Sequence, residues 1–175
     1  MSLDGGILLW IQANVRNGFL NPIILFLTGT IPYAIALFVC LLFFKKTRKF
    51  AIYVLIGFGV CLLLNTFLIK PLFHRSRPFD VVKGLAYAGE RPSGYSFPSS
   101  HTLSAFSLAW MSVWCKQKKW ICPLFVYACL IAFTRLYLGV HYPTDILGGI
   151  IVSALITYGV WFVLDKIKIG KEGVR

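Results

Sequence analysis

Three short stretches of this chain carry residues whose types and spacing could handle an anion. The first is Lys70-Pro-Leu-Phe-His-Arg-Ser-Arg77-Pro78, the second is Phe97-Pro98-Ser99-Ser100-His101, and the third runs from Thr134-Arg135 to His141 and Asp145. In the third, Tyr142-Pro143-Thr144-Asp145 reads as a helix start with proline at the first helical position. Asp145 in the first turn can reach back, as in a capping box, and accept a hydrogen bond from one ring nitrogen of His141. The other nitrogen then keeps its lone pair toward the site, which suits a nucleophile or a general base. In the second stretch, the unpaired N–H groups and dipole of a helix start make a ready anion site. Ser99 and Ser100 add hydroxyl donors, and His101 is placed to protonate a leaving oxygen. Lys70, Arg77 and Arg135 supply fixed positive charge, and an arginine fork matches two phosphate oxygens.

Each stretch alone has an ordinary reading. Asp145 could be a helix cap, Ser99 an N-cap, Lys70 and Arg77 interface anchors, and Arg135 a snorkelling side chain. All of these would have to hold at once. Together the stretches supply three fixed cations, two histidines, a helix N-terminus and one carboxylate. Carboxylates are too sparse nearby to hold magnesium, so neither metal nor cofactor is expected. Fixed cations would instead stabilise the equatorial oxygens of a transferring phosphoryl group.

The elements that position these residues are apolar. Of 175 residues, 58% are hydrophobic, and the mean hydropathy is +0.75. The apolar residues fall in long runs, which predicts an all-α membrane bundle in a single domain over 1–175. Five spans are expected, over about 21–44, 50–69, 100–115, 120–138 and 143–164. A short amphipathic helix over about 5–18 precedes them, with Ile7, Leu8, Ile11 and Val15 on one face and Trp10 at the interface. The third span is marginal in length. Its Ser104, Ser107 and Ser112 suggest that it packs inside the bundle. The N-terminus lacks the basic region and long apolar core of a signal peptide, so it is expected to be retained. The five cysteines form no CxxC pair or metal-type spacing and read as small apolar fillers.

The formal net charge is +12. Nucleic acid is disfavoured as a partner, because the cations sit in short clusters between apolar runs. Lys45–Lys49, Lys116–Lys119 and Lys166–Lys171 fall on one side if all five spans cross. Cytoplasmic loops carry such an excess, which puts the N-terminus outside. The loop from Lys70 to Pro98 breaks this pattern on the outer side, with Arg75, Lys83 and Arg91 beyond the residues already named. An anionic ligand is the expected reason.

The sequence resembles the type 2 phosphatidic acid phosphatase family, which shares its site with vanadium haloperoxidases. The resemblance rests on Lys70, Arg77 and Pro78, then Pro98, Ser99 and His101, then Arg135, His141 and Asp145, in order and at the family's spacings. It covers roughly residues 50–160. Ser100 stands where the family has glycine, and Thr134 where it has serine. The resemblance implies a helical bundle and a metal-independent phosphohistidine mechanism. His141 would attack phosphorus, oriented by Asp145, and His101 would protonate the leaving lipid oxygen. Lys70, Arg77, Ser99 and Arg135, with the backbone amide of Ser100, would hold the phosphate oxygens. The expected enzyme is a lipid phosphatase of the plasma membrane with its site facing outside. Undecaprenyl diphosphate is the favoured substrate, and phosphatidylglycerophosphate, phosphatidate and lipid A are alternatives. A non-enzyme reading is an anion or lipid transporter, for which internal repeats with broken helices would be expected. None is evident.

Overall fold

Lipid offers no hydrogen bonds, so a chain this apolar satisfies its backbone within helices. Every regular element in the computed structural model, which describes residues 2–167, is helical. In order these are α1 (Leu3–Asn14), α2 (Leu20–Thr28), α3 (Ile31–Leu41), α4 (Lys45–Leu64), a π-helical turn (Asn65–Ile69), α5 (Lys70–Phe73), α6 (Pro78–Val81), α7 (Ser100–Trp114), α8 (Lys118–Tyr137) and α9 (Pro143–Lys166). Three helical segments are long and apolar enough to cross a membrane: Lys45–Val81, Lys118–Tyr137 and Pro143–Lys166. The helices α2 and α3 pass the same test only as a pair bent by 41°.

The expected count of five spans is therefore not reproduced. The run over 21–44 is broken at Gly29–Thr30, and Pro32 in the first turn of α3 suits a new helix start. The run over 100–115 forms α7, whose 15 residues reach only about 22 Å at 1.5 Å each, against a hydrocarbon core of about 30 Å. Its neighbours explain how so short a helix is kept. α7 packs against α4, α8 and α9, and Ser104, Ser107 and Ser112 are all buried. The hydroxyls of Ser107 and Ser112 donate to the carbonyls of Ser104 and Ala109, at 2.7 and 2.6 Å. Small residues let the backbones close up, as expected where helices associate by packing in lipid. A methyl group on Gly149 of α9 would lie 3.2 Å from the Ser99 carbonyl oxygen, and one on Gly148 would collide with the Phe97 ring. These two glycines seat α9 on the start of α7, where two of the anion-handling stretches meet.

The N-terminal helix also departs from expectation. It ends at Asn14, and its buried face is Gly5, Leu8 and Ile11, while Ile7 is exposed. Leu8 packs with Leu85 and Tyr142. Gln12 pairs with the backbone of the long loop, donating to the Gly84 carbonyl and accepting from the Ala86 N–H. Arg16 donates to the carbonyls of Tyr137 and Ala86. α1 is thus strapped onto the loops around His141, with Trp10 left exposed. The charge clusters Lys45–Lys49 and Lys116–Lys119 sit at one end of the bundle, as expected, and Lys168 and Lys171 lie outside the described residues. The five cysteines are free, and only Cys61 is fully buried.

Candidate active site

Backbone hydrogen bonds bring the three stretches together. The Ser99 N–H donates to the Asp145 carbonyl at 3.2 Å, joining the start of α7 to the start of α9. The Ser96 N–H donates to the Arg75 carbonyl at 2.8 Å, which ties the stretch after α5 to the approach to α7. Arg77 then spans the gap, donating to the carbonyls of Gly94, Ser93 and Val140 at 3.0, 2.9 and 3.1 Å.

His141 and Asp145 stand as their spacing predicts. Asp145 occupies the third position of α9, and its Oδ2 accepts the Tyr142 N–H at 2.9 Å. The same oxygen lies 3.4 Å from His141 Nδ1. With the proton on Nδ1, the Nε2 lone pair accepts a long contact from Arg77 Nη1 at 3.4 Å. Burial pushes the His141 imidazole down to about 4, opposed by its hydrogen bond to Asp145 and reinforced by the charges of Arg135 and Arg77. The ring is therefore neutral at ordinary pH, as a nucleophile requires.

The cations are placed around this pair. Arg77 and Arg135 are 7% and 6% exposed, and neither forms an ion pair with a carboxylate among the described residues. Arg135 donates to the Thr28 hydroxyl at the end of α2, and its Nε has no partner. Lys70, presented by the helix after the π-helical turn, donates to the Tyr95 carbonyl. His101 and Arg135 line a cavity of about 540 Å³ that also reaches Val140, Thr28 and Arg91. His101 lines a second cavity of about 350 Å³ as well, walled by Ile31, Phe58 and Leu62 from α3 and α4.

The remaining site residues have structural partners. Ser99 is the N-cap of α7, and its hydroxyl oxygen accepts the Thr102 hydroxyl at 3.0 Å. Ser100 takes the Nδ2–H of Asn65 on its hydroxyl at 2.9 Å, so the extra side chain ties α7 to the π-helical turn. Thr134 donates to the Ile131 carbonyl at 2.6 Å and contacts Thr28 at 3.2 Å.

One expectation is corrected. Arg75 is not a spare cation for substrate: it donates to Asp145 Oδ1 at 2.6 Å and to Asp4 Oδ2 at 2.9 Å, with its guanidinium 4.1 Å from the Tyr142 ring centroid. The hydroxyl of Thr144 joins the same cluster, donating to Asp4 at 2.5 Å. No local signal in the sequence marks Asp4, Thr28 or Asn65, which reach the site from distant parts of the chain. Of the other two outer-loop cations, Arg91 pairs with Asp80 at 2.5 Å and lines the larger cavity, while Lys83 is exposed.

Comparison with known proteins gives the family. The undecaprenyl-diphosphatase of Sulfolobus acidocaldarius is 32% identical over 67% of this chain and 57% of its own length. The undecaprenyl-diphosphatase BcrC of Bacillus subtilis is 30% identical over 82% of this chain and 74% of its own length. The crystal structure of a transmembrane PAP2-type phosphatidylglycerolphosphate phosphatase from Bacillus subtilis superposes with a TM-score of 0.75 at 29% identity, covering 96% of this chain and 87% of that one. The chain thus spans little more than half of the first relative's length. The family model for the PAP2 superfamily matches residues 50–168, across all three stretches, and the chain belongs to that superfamily.

Proposed function

We propose that this integral membrane protein is a lipid phosphatase acting through a phosphohistidine. The observation that carries the reading is the pair of buried arginines, Arg77 and Arg135, with no carboxylate partner among the described residues, beside a neutral buried histidine. Holding a cation out of water costs several kcal/mol unless charge is supplied, and a phosphate supplies it. The lipid follows from His101, which lines both the cationic cavity and the apolar one between α3 and α4. A phosphate in the first cavity would leave its hydrocarbon chain a route along the second.

In this mechanism the phosphate displaces the long Arg77–His141 contact and is held by Lys70, Arg77, Arg135 and the N–H groups at the start of α7. The Nε2 lone pair of His141 attacks phosphorus while Nδ1–H stays on Asp145. The bond from phosphorus to the lipid oxygen breaks, and that oxygen takes the proton that His101 gains from solvent as the anionic phosphate binds among the cations. Neutral His101 then accepts a proton from water, whose oxygen attacks the phosphohistidine. Phosphate leaves and His141 is restored.

A polyprenyl diphosphate such as undecaprenyl diphosphate is the substrate best supported. Two relatives carry that name, and the larger cavity extends from Arg135 to Arg91, so a terminal diphosphate could set its second phosphate toward Arg91. The site is assigned to the outer face of the plasma membrane, opposite the lysine clusters. Phosphate release in detergent from prenyl diphosphate, phosphatidate, phosphatidylglycerophosphate and lipid A tests the reading. Release from none of them would reject the phosphatase, and faster release from phosphatidate than from prenyl diphosphate would reject the substrate.

A further inference from the structure

At the end of the bundle opposite His141, the start of α4, the loop from α7 to α8 and the end of α9 enclose a cavity of about 420 Å³. Three lysines line it, Lys46, Lys49 and Lys116, against one carboxylate, Asp165. None of these four side chains forms an ion pair among the described residues. Beneath them lies Tyr53, only 1% exposed, which also lines the cavity. Its buried hydroxyl has no hydrogen-bond partner among the described residues, a rare and costly condition that a ligand oxygen would relieve. Lys49 sits over the Tyr53 ring at 5.6 Å, so cation and hydroxyl belong to one pocket. Lys116 adopts φ +54, a left-handed position at a helix end where glycine is usual. The chain therefore keeps a long cation where glycine would be less strained. Trp114 and Trp161 complete the wall, and tryptophan suits the headgroup level of a membrane.

A bias of cations toward one side of the membrane needs only surface lysines. It does not need a cavity, nor a buried tyrosine hydroxyl with nothing to bind. We propose that this cavity is a second anion site, distinct from the His141 centre, that takes the phosphate of an anionic lipid headgroup in the opposite leaflet. The net charge of its lining, +2 from three lysines and one aspartate, matches a headgroup of net negative charge better than a zwitterionic one, whose own cation it would repel. Basic pockets between membrane helices bind headgroups in this way.

Native mass spectrometry of the full chain in neutral detergent tests the site, with short-chain phosphatidylglycerol, short-chain phosphatidylcholine and glycerol phosphate as probes. Phosphatidylglycerol should bind at least about tenfold more tightly than either of the others. The double variant Lys46→Gln/Lys49→Gln should weaken it about tenfold, and Tyr53→Phe by a similar factor through loss of one donor to a charged group. The double variant Lys118→Gln/Lys119→Gln removes the same charge from the same end of the bundle but outside the cavity, and should change binding less than threefold. Unchanged phosphatase activity in all three variants would show that they remain folded. Equal losses in the two lysine pairs, or no effect of Tyr53→Phe, would reduce the cavity to general surface attraction and overturn the site. Glycerol phosphate binding as tightly as phosphatidylglycerol, with the same sensitivity to Lys46 and Lys49, would overturn the lipid assignment in favour of a soluble phosphate ester.

Discussion

Replacing Arg75 by glutamine should slow every substrate alike, because Arg75 serves Asp145 and not the leaving phosphate. Asp145 is fully buried, and among the described residues its Oδ1 receives only Arg75, at 2.6 Å. A hydrogen bond to a charged group is worth about 1.5–3 kcal/mol. The Arg75 side chain is 32% exposed, so water can replace part of the contact and the lower end applies. About 1.4 kcal/mol is a tenfold change in rate. If the lost contact acts mainly by loosening the carboxylate that orients His141, kcat falls roughly tenfold with KM little changed. Asp4→Asn, which weakens the clamp from α1 without touching Asp145, should give a smaller fall of the same kind. Arg91→Ala provides the contrast: Arg91 lines the cavity, so its loss should slow the diphosphate substrate more than the monophosphate. Steady-state rates on prenyl diphosphate and phosphatidate, with thermal unfolding in detergent as a check on folding, make the measurement. A loss in Arg75→Gln confined to the diphosphate, or appearing only in KM, would refute the positioning role and make Arg75 a substrate ligand.

His141→Ala should abolish turnover and the phosphoenzyme seen after an alkaline quench, whereas His101→Ala should be least damaging on esters whose leaving group needs no proton. Near-normal turnover in His141→Ala would end the nucleophile assignment. Because the folded His141 pKa is depressed to about 4, the nucleophile stays neutral as pH falls through 6.5 and is lost only near 4. After correction for substrate ionisation, the acid limb of kcat/KM due to this group should rise with pH around 4, and a limb at 6.5 would contradict the buried site. Activity should persist in EDTA, since the cations that balance phosphate charge are side chains; a requirement restored by added magnesium would oppose this. Lys83→Cys should react with an impermeant thiol reagent in intact cells, read against the unsubstituted protein, and labelling only after permeabilisation would invert the assigned orientation.

The site was legible because each part of it is local in sequence. His141 and Asp145 are four residues apart across a helix start, so the fold of that single turn settles their contact. Ser99 and the N-terminus of α7 follow from one cap in the same way. What stayed hidden is held by long-range pairs. Thr28 and Arg135 are 107 residues apart, and Asp4 and Arg75 are 71 apart, with no periodicity or motif to announce either. Arg75 was misread for that reason: its charge was visible, but its partner on α1 was not. The five-span count was not reproduced for a different reason. Hydropathy measures whether a run is apolar, and it could not show that Gly29–Thr30 breaks one run into two helices, whereas the shortness of α7 and its place inside the bundle were legible in its length and its serines.

The π-helical turn at Asn65–Ile69 sets the phase of everything that follows it on the same segment. An α-helix advances about 100° per residue, and a π turn accommodates one residue more than the regular winding. Lys70 leaves this turn directly, so it stands close to the azimuth that position 69 would hold in an unbroken α-helix. Rewinding Asn65–Ile69 as regular α-helix with its length kept would advance Lys70 by one residue step, about 100°, and carry Arg77 and the loop behind it out of register with α7. Deleting a single residue from Thr66–Leu68 would instead restore regular winding with Lys70 near its present azimuth. The surplus residue of the turn thus sets the phase of the site, a property that no hydropathy plot records.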